Sequence, residues 1–193
     1  MRDYLLDIVE HTQALGVIDT IKIIGDDKST QLEAVADDKS VIIKATFKTP
    51  NPQFAGTFGM PNLIKLNTIL NIPEYKENAN LSINKQKNQA GEDVPSGVHF
   101  QNAVGDFKND YRFMTAEIVN DKLKAVKFRG VKWDVEVNPS VQAIQRFQFQ
   151  AAANNEHTTF LAKTDGGKLK FTFGDQSTHG GEFIFATDVT GNL

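Results

Sequence analysis

The chain has 193 residues, enough for one large domain or two small ones with a real core. It is 40% hydrophobic and 23% charged, the balance of an ordinary globular protein, and carries a formal charge of −3. That charge speaks against simple polyanion binding, although an uneven distribution leaves room for a basic face, and the absence of cysteine excludes disulfides and thiolate metal sites.

Residues 3–15 have helical spacing, with Leu5, Ile8, Val9, Thr12 and Leu15 on one face and Gly16 as the stop. Strand-like segments follow at 18–25, 31–36 and 40–48, the last two joined by a turn at Asp37-Asp38. Residues 60–73, MPNLIKLNTILNIP, place Leu63, Leu66, Ile69 and Leu70 on one helical face, with a proline to close it. Residues 79–84 alternate, 85–97 lack an apolar pattern and are expected to be a loop, and 97–102 alternate again. Residues 115–130 hold neither a clean helix nor a clean strand, which predicts a linker. In 131–137, Val131, Trp133, Val135 and Val137 alternate with Lys132, Asp134 and Glu136, which predicts a half-buried strand. Asn138-Pro139 predicts the cap and first position of a helix running to about 153. Strands are expected at 157–163, 168–174 and 181–189, with Asp165-Gly166-Gly167 as a tight turn.

The order helix, strand, strand, strand occurs at 5–47 and again at 140–185, which predicts an internal duplication. The first copy continues into the helix at 63–70 and further strands, while the second stops soon after its third strand.

FAGTFGMPNLIKLNTIL (54–70) followed by NLSI (80–83), and VKWDVEVNPSVQAIQRF (131–147), carry a resemblance. The layout resembles the sliding clamp, or DNA polymerase processivity factor, of T-even-like bacteriophages. The resemblance implies an α+β, DNA-clamp-like fold of two similar domains, each with helices packed on antiparallel sheets. It implies a first domain at 1–114, a connector at 115–130 and a second, incomplete domain at 131–193. It further implies a homotrimeric ring around duplex DNA, with a DNA polymerase and a clamp loader as partners, in the cytoplasm of an infected host cell.

A ring held on DNA by topology needs only weak contacts, because each fixed phosphate contact deepens the well that sliding must leave. Gln142, Arg146 and Gln150 recur every four residues on one stripe, opposite Val141, Ile144, Phe147 and Ala151, and residues 140–153 contain no acid. Lys65, Thr68 and Asn71 lie off the apolar face of their helix. These six are the expected DNA-facing residues. The first helix carries Asp3, Asp7 and Glu10, which would repel phosphate from inside a ring; they point to the ring's faces, or this helix does not line the hole. Lys122, Lys124, Lys127, Arg129 and Lys132 make a basic patch or a solvated connector. Clients of the clamp family dock near such a connector, which makes Leu123, Val126 and Phe128 the partner-binding candidates.

His11, His99, His157 and His179 are scattered without metal-ligand spacing, and the Ser177–His179 pair lacks a third group to orient a base. No cofactor, metal or catalytic site is expected. No apolar run is long enough to span a bilayer, and the acids in MRDYLLDIVE do not fit a secretory signal, which predicts a soluble intracellular protein. The alternative to a clamp is a β-rich structural or assembly protein of a virion.

Overall fold

The computed structural model describes residues 1–88, 90–124, 130, 132–175, 177 and 179–193. They belong to two units, Met1–Lys127 and Phe128–Leu193.

The first unit opens on helix α1 (Arg2–His11), which buries Leu5, Ile8 and Val9 at helical spacing. The expected helix over 3–15 stops early. The backbone tightens into a 3-10 turn at Gln13–Leu15, and Gly16 ends it at φ 77°. The change of pitch swings Leu15 into solvent, while Thr12 stays buried and donates its hydroxyl to the Ile8 carbonyl at 2.6 Å.

Strands β1 (Ile21–Gly25), β2 (Thr30–Val35) and β3 (Ile42–Thr46) form an antiparallel meander, and β4 (Gly56–Met60) joins the far side of β1, giving the order β3-β2-β1-β4. One face of this sheet contributes Ile21, Ile23, Leu32, Ala34, Phe58 and Met60 to a core shared with α1. On the other face Lys22 is nearly buried, with its Nζ 2.6 Å from a Glu33 carboxylate oxygen.

Helix α2 (Leu63–Leu70) buries the four residues its spacing selects, Leu63, Leu66, Ile69 and Leu70. Asn62, in the left-handed region at φ 52°, caps it by accepting the Lys65 N–H at 3.1 Å. The helix packs on α1: Gln13 and Asn67 bond side chain to side chain at 3.0 Å, and Arg2 donates to the Leu70 carbonyl at α2's last turn.

A second sheet follows, of β5 (Asn80–Lys87), β6 (Asp93–Gln101) and β7 (Lys108–Arg112) in that order. Much of the segment expected to be a loop, 85–97, is strand. Its pairing is carried by the backbone of a ribbon whose β5 side is exposed and whose β6 side buries only Pro95 and Gly97 over this stretch, so it leaves no apolar pattern. Proline is tolerated there because the register shifts between Asn84 and Lys85, which sets Pro95 beside the irregularity. The Asn88 side chain ties the turn by accepting the Ala90 and Glu92 N–H groups.

The expected linker also contains regular structure. Helix α3 (Ala116–Lys122) occupies part of it and buries Val119. Val119 packs on the bare backbone of Gly59 in β4, where a Cβ would meet its Cγ2 at 2.7 Å. Lys122 donates to the Thr20 hydroxyl at 2.8 Å. Gly59→Ala should therefore cost about 1–3 kcal/mol in urea unfolding, with Val119→Ala in the same chain recovering part of the loss.

The second unit holds helix α4 (Val141–Ala153) and strands β8 (Phe160–Asp165), β9 (Lys168–Gly174) and β10 (Gly180–Ala186), in the sheet order β10-β9-β8. The β8–β9 turn is the one the sequence marks: Gly166 and Gly167 have φ of 55° and 75°, the left-handed pair that a two-residue hairpin requires. The core of this unit gathers Leu169, Phe171, Phe173, Phe183 and Val189, with Phe147 and Ala151 packed against them. The cap of α4 is Ser140, whose hydroxyl accepts the Ala143 N–H at 3.1 Å, two residues beyond the expected Asn138.

The strand expected at 131–137 is absent over its described part, 132–137; Val131 lies outside the described residues. Trp133 is 59% exposed, and only Val135 of the alternating residues packs against the core. Alternation selects a face only where a partner strand supplies the ladder, and no strand pairs with this segment among the described residues. A helix followed by three antiparallel strands thus recurs as α1 with β1–β3, α2 with β5–β7, and α4 with β8–β10.

Candidate functional site

The chemistry on offer lies on exposed helix faces. On α2, Lys65, Thr68 and Asn71 are all exposed, beside Ile64. Lys65 projects freely enough to meet an anion. Thr68 instead donates to the Ile64 carbonyl at 2.9 Å, and Asn71 donates to the Asn67 carbonyl and side-chain oxygen. Only one of the three therefore offers an uncommitted charge-bearing end.

On α4 the expected polar stripe divides. Gln142 is exposed as expected. Arg146 reaches sideways, its guanidinium 5.4 Å from the centre of the Phe183 ring. Gln150 is half-buried, bonded to Asn154 at 3.2 Å, and lies over Gly181, where an added Cβ would collide with its Oε1. The sheet-facing side is Ala143, Phe147, Gln150, Ala151 and Asn154. Val141 and Ile144, expected to cover the sheet, are exposed. Two polar residues and the bulk of Phe147 set this rotation, because Phe147 fits among Phe160, Phe171 and Phe173. The outward face is Val141, Gln145, Gln148 and Phe149, the last 72% exposed. It carries no charge, and the absence of acid from residues 140–153 was its legible signal.

Leu123 caps α3 and is buried, so its side chain is unavailable for docking; Val126 and Phe128 lie outside the described residues, as do Lys127 and Arg129 of the basic patch. Lys124 pairs with Asp121 at 3.4 Å.

The first helix presents Asp3, Asp7 and Glu10 to solvent, and His11 lies 3.3 Å from Asp7. Among the described residues, no group of three or more histidine or acidic side chains is placed to hold a metal ion, and no helix is long and apolar enough to cross a membrane. His99 pairs with Asp110 across β6 and β7 at 2.8 Å.

No family profile and no curated protein matches the sequence. Among solved structures, PCNA from Thermococcus kodakaraensis matches 100% of this chain over 72% of its own length, with a TM-score of 0.62 and 12% identity. The fold is clamp-like. At that identity the likeness bears on the backbone alone. Within the clamp-like fold, the candidate residues divide between exposed ends (Lys65, Gln142), a helix flank (Arg146) and a sheet contact (Gln150).

Proposed function

We propose that this protein is a sliding clamp, a non-enzymatic ring that tethers a DNA polymerase to duplex DNA as a processivity factor. The observation that carries the proposal is a clamp-like backbone matched along the entire chain. The acid-free α4 supports it. Its outward glutamines can exchange hydrogen bonds with DNA and water at little net cost, and none of them fixes a counterion-releasing contact.

On this proposal the chain carries a first clamp domain over 1–114, a connector over 115–130 and part of a second domain over 131–193. Copies join head to tail into a homotrimer, a heterologous contact that closes only if the rotation per copy is right. Lys65, Thr68, Asn71, Gln142, Arg146 and Gln150 form the DNA-facing set, with Lys65 and Gln142 the members whose exposure suits the role best. Val126 and Phe128 remain the docking candidates for polymerase and loader. A bacteriophage origin and the cytoplasm of an infected host complete the proposal.

Topology gives the test. The protein is incubated with a nicked circular plasmid, sieved in high salt, and the plasmid is then cut with a restriction enzyme. A ring stays with the circle and is lost from the linear form. Equal retention on both forms overturns the proposal. In direct binding measurements Lys65→Glu should lower the salt slope by about one while leaving the far-UV circular dichroism unchanged.

A further inference from the structure

The sequence contains one Asp-Gly step, Asp165-Gly166. In such a step the backbone amide reaches the side-chain carboxyl before it most readily, because glycine sets no Cβ against the five-membered ring that forms. Here the step lies at the tip of the β8–β9 hairpin, where Asp165 pairs with Lys168 across two glycines. Both glycines have positive φ, and a Cβ built on either would meet nothing within 4 Å. The Gly166 N–H makes no hydrogen bond among the described residues. Asp165 and Gly166 also border an open hollow of about 480 Å³, which gives water access to the turn.

Other acid-bearing turns are built differently. Asp26 accepts the Lys28 and Ser29 N–H groups, and Asp38 accepts the Ser40 N–H, so the backbone fixes both carboxylates. Each is followed by a residue with a full side chain. The Asp165 carboxylate is held instead by a side chain, with Lys170 Nζ at 3.1 Å. Lys170 pairs with Lys163, two residues back from the tip and on the face that Asp165 shares, so the bond draws the carboxylate along the strand and away from the Gly166 nitrogen. The hydrogen bond and charge of Lys170, then the charges of Lys163 and Lys168, hold the Asp165 carboxyl below its ordinary value. Glu182 on β10 adds its own pull on Lys170. An ionised carboxylate is a poor electrophile, because the oxygen that must leave carries a negative charge.

We propose that Asp165-Gly166 is a self-modification site of the folded protein, at which Asp165 converts to isoaspartate through a succinimide, and that Lys170 is the positioning residue that restrains the conversion. The Gly166 nitrogen bonds to Asp165 Cγ, and the carboxyl oxygen leaves as water with the amide proton. Water then opens the ring. Breaking the bond between Cγ and nitrogen restores aspartate. Breaking the bond between the α-carbonyl carbon and nitrogen leaves a free α-carboxylate and a chain that runs through Cβ. Electrons balance without an oxidant or reductant, and water is the co-reactant. The product carries an added backbone bond in a turn whose register has no room for it, and Lys170 loses its partner. The proposal does not rest on the clamp reading, and the plasmid experiment bears on neither residue.

The test follows heavy-oxygen water into the full chain at neutral pH, since each ring opening leaves a label. Peptide mapping with chromatographic separation of the isomers locates it. Folded wild-type protein should accumulate label and isoaspartate at residue 165. Lys170→Met should raise that rate about threefold or more, a modest factor because the ion pair is exposed. Lys170→Arg, which keeps the charge and a donor, should stay near the wild-type rate. Far-UV circular dichroism and thermal midpoints of the fresh variants show that the hairpin is formed in each. Equal rates in wild type and folded Lys170→Met overturn the role of Lys170. Label at residue 165 in the urea-unfolded chain, with none in folded wild type or folded Lys170→Met over the same period, overturns the site.

Discussion

Phe147→Ala should unfold the second unit and leave the first folded. Phe147 is the one large side chain that α4 inserts into the sheet, with ring centroids 5.2 Å from Phe160, 5.7 Å from Phe173 and 5.8 Å from Phe171. Phe147 is half-buried, so losing its phenyl group and ring contacts should cost about 3 kcal/mol, the low end of Phe→Ala changes in cores. The unit runs only from Phe128 to Leu193, and a core of that size supplies only a few kcal/mol of net stability. The loss is thus about as large as the whole reserve. Calorimetry of the wild-type chain should show a transition for this unit that the variant lacks, while the first unit's transition keeps its midpoint. A loss under about 1 kcal/mol would mean that α4 does not rest on Phe147.

Glu33→Ala should destabilise the first unit by about 3 kcal/mol. Lys22 is nearly buried in β1, and Glu33 is its directly paired neighbour on β2, with Lys44 on β3 adding a second, longer contact at 3.6 Å. Removing the carboxylate strands an ammonium group where water is scarce. Lys22→Met combined with Glu33→Leu removes both charges and should restore most of the stability, which separates an unpaired charge from lost packing. The pair also sets an acid limit. The Lys22 hydrogen bond, ahead of the attraction of Lys22 and Lys44, holds the Glu33 carboxyl below its ordinary value. A lowered folded-state value means the stabilisation is complete above the unfolded glutamate value of about 4.3 and is lost as pH falls through the folded one. Urea midpoints of the wild type should therefore fall on acidification below about pH 4, and Glu33→Gln should remove that part of the fall. An unchanged acid slope in Glu33→Gln would place the acid sensitivity elsewhere.

Elements whose side chains face a dry core were legible in the sequence. Leu63, Leu66, Ile69 and Leu70 specify α2, and the Gly166-Gly167 pair specifies its hairpin. The elements that were missed are those whose stability comes from something the local sequence does not contain. Helix α3 buries little besides Val119, and the glycine that receives it is in β4, far back in the chain. The outer half of β5 is exposed, the facing half of β6 buries only Pro95, and β7 buries only Tyr111, so backbone pairing holds them with little apolar code. Residues 132–137 present the opposite case, a good alternating code with no ladder to join.

The candidate site divides in the same manner. That α4 lacks acid is a property of sequence alone. Which way its glutamines point depends on whether Phe147 or the pair Val141 and Ile144 wins the sheet, and ring packing decides for Phe147. Leu123 shows a related ambiguity: an apolar residue in a polar stretch is read equally well as bait for a partner or as a plug for its own domain, and here its side chain is buried.

The seating of α3 on Gly59 has a mechanical consequence. Met114 and Gly59 exchange a pair of backbone hydrogen bonds of 2.8 and 3.0 Å just ahead of the helix, and Val119 and Lys122 hold its two turns. Tension travelling up the chain from residue 124 reaches these contacts in series before it reaches the ladder of β4. The Lys122 bond yields first, the Val119 knob next and the Met114 bridge last. Letting go of the 7 residues of α3 adds roughly 10–15 Å of reach as helix becomes extended chain. A pull applied at residue 124 should therefore lengthen this segment before it deforms the core behind it.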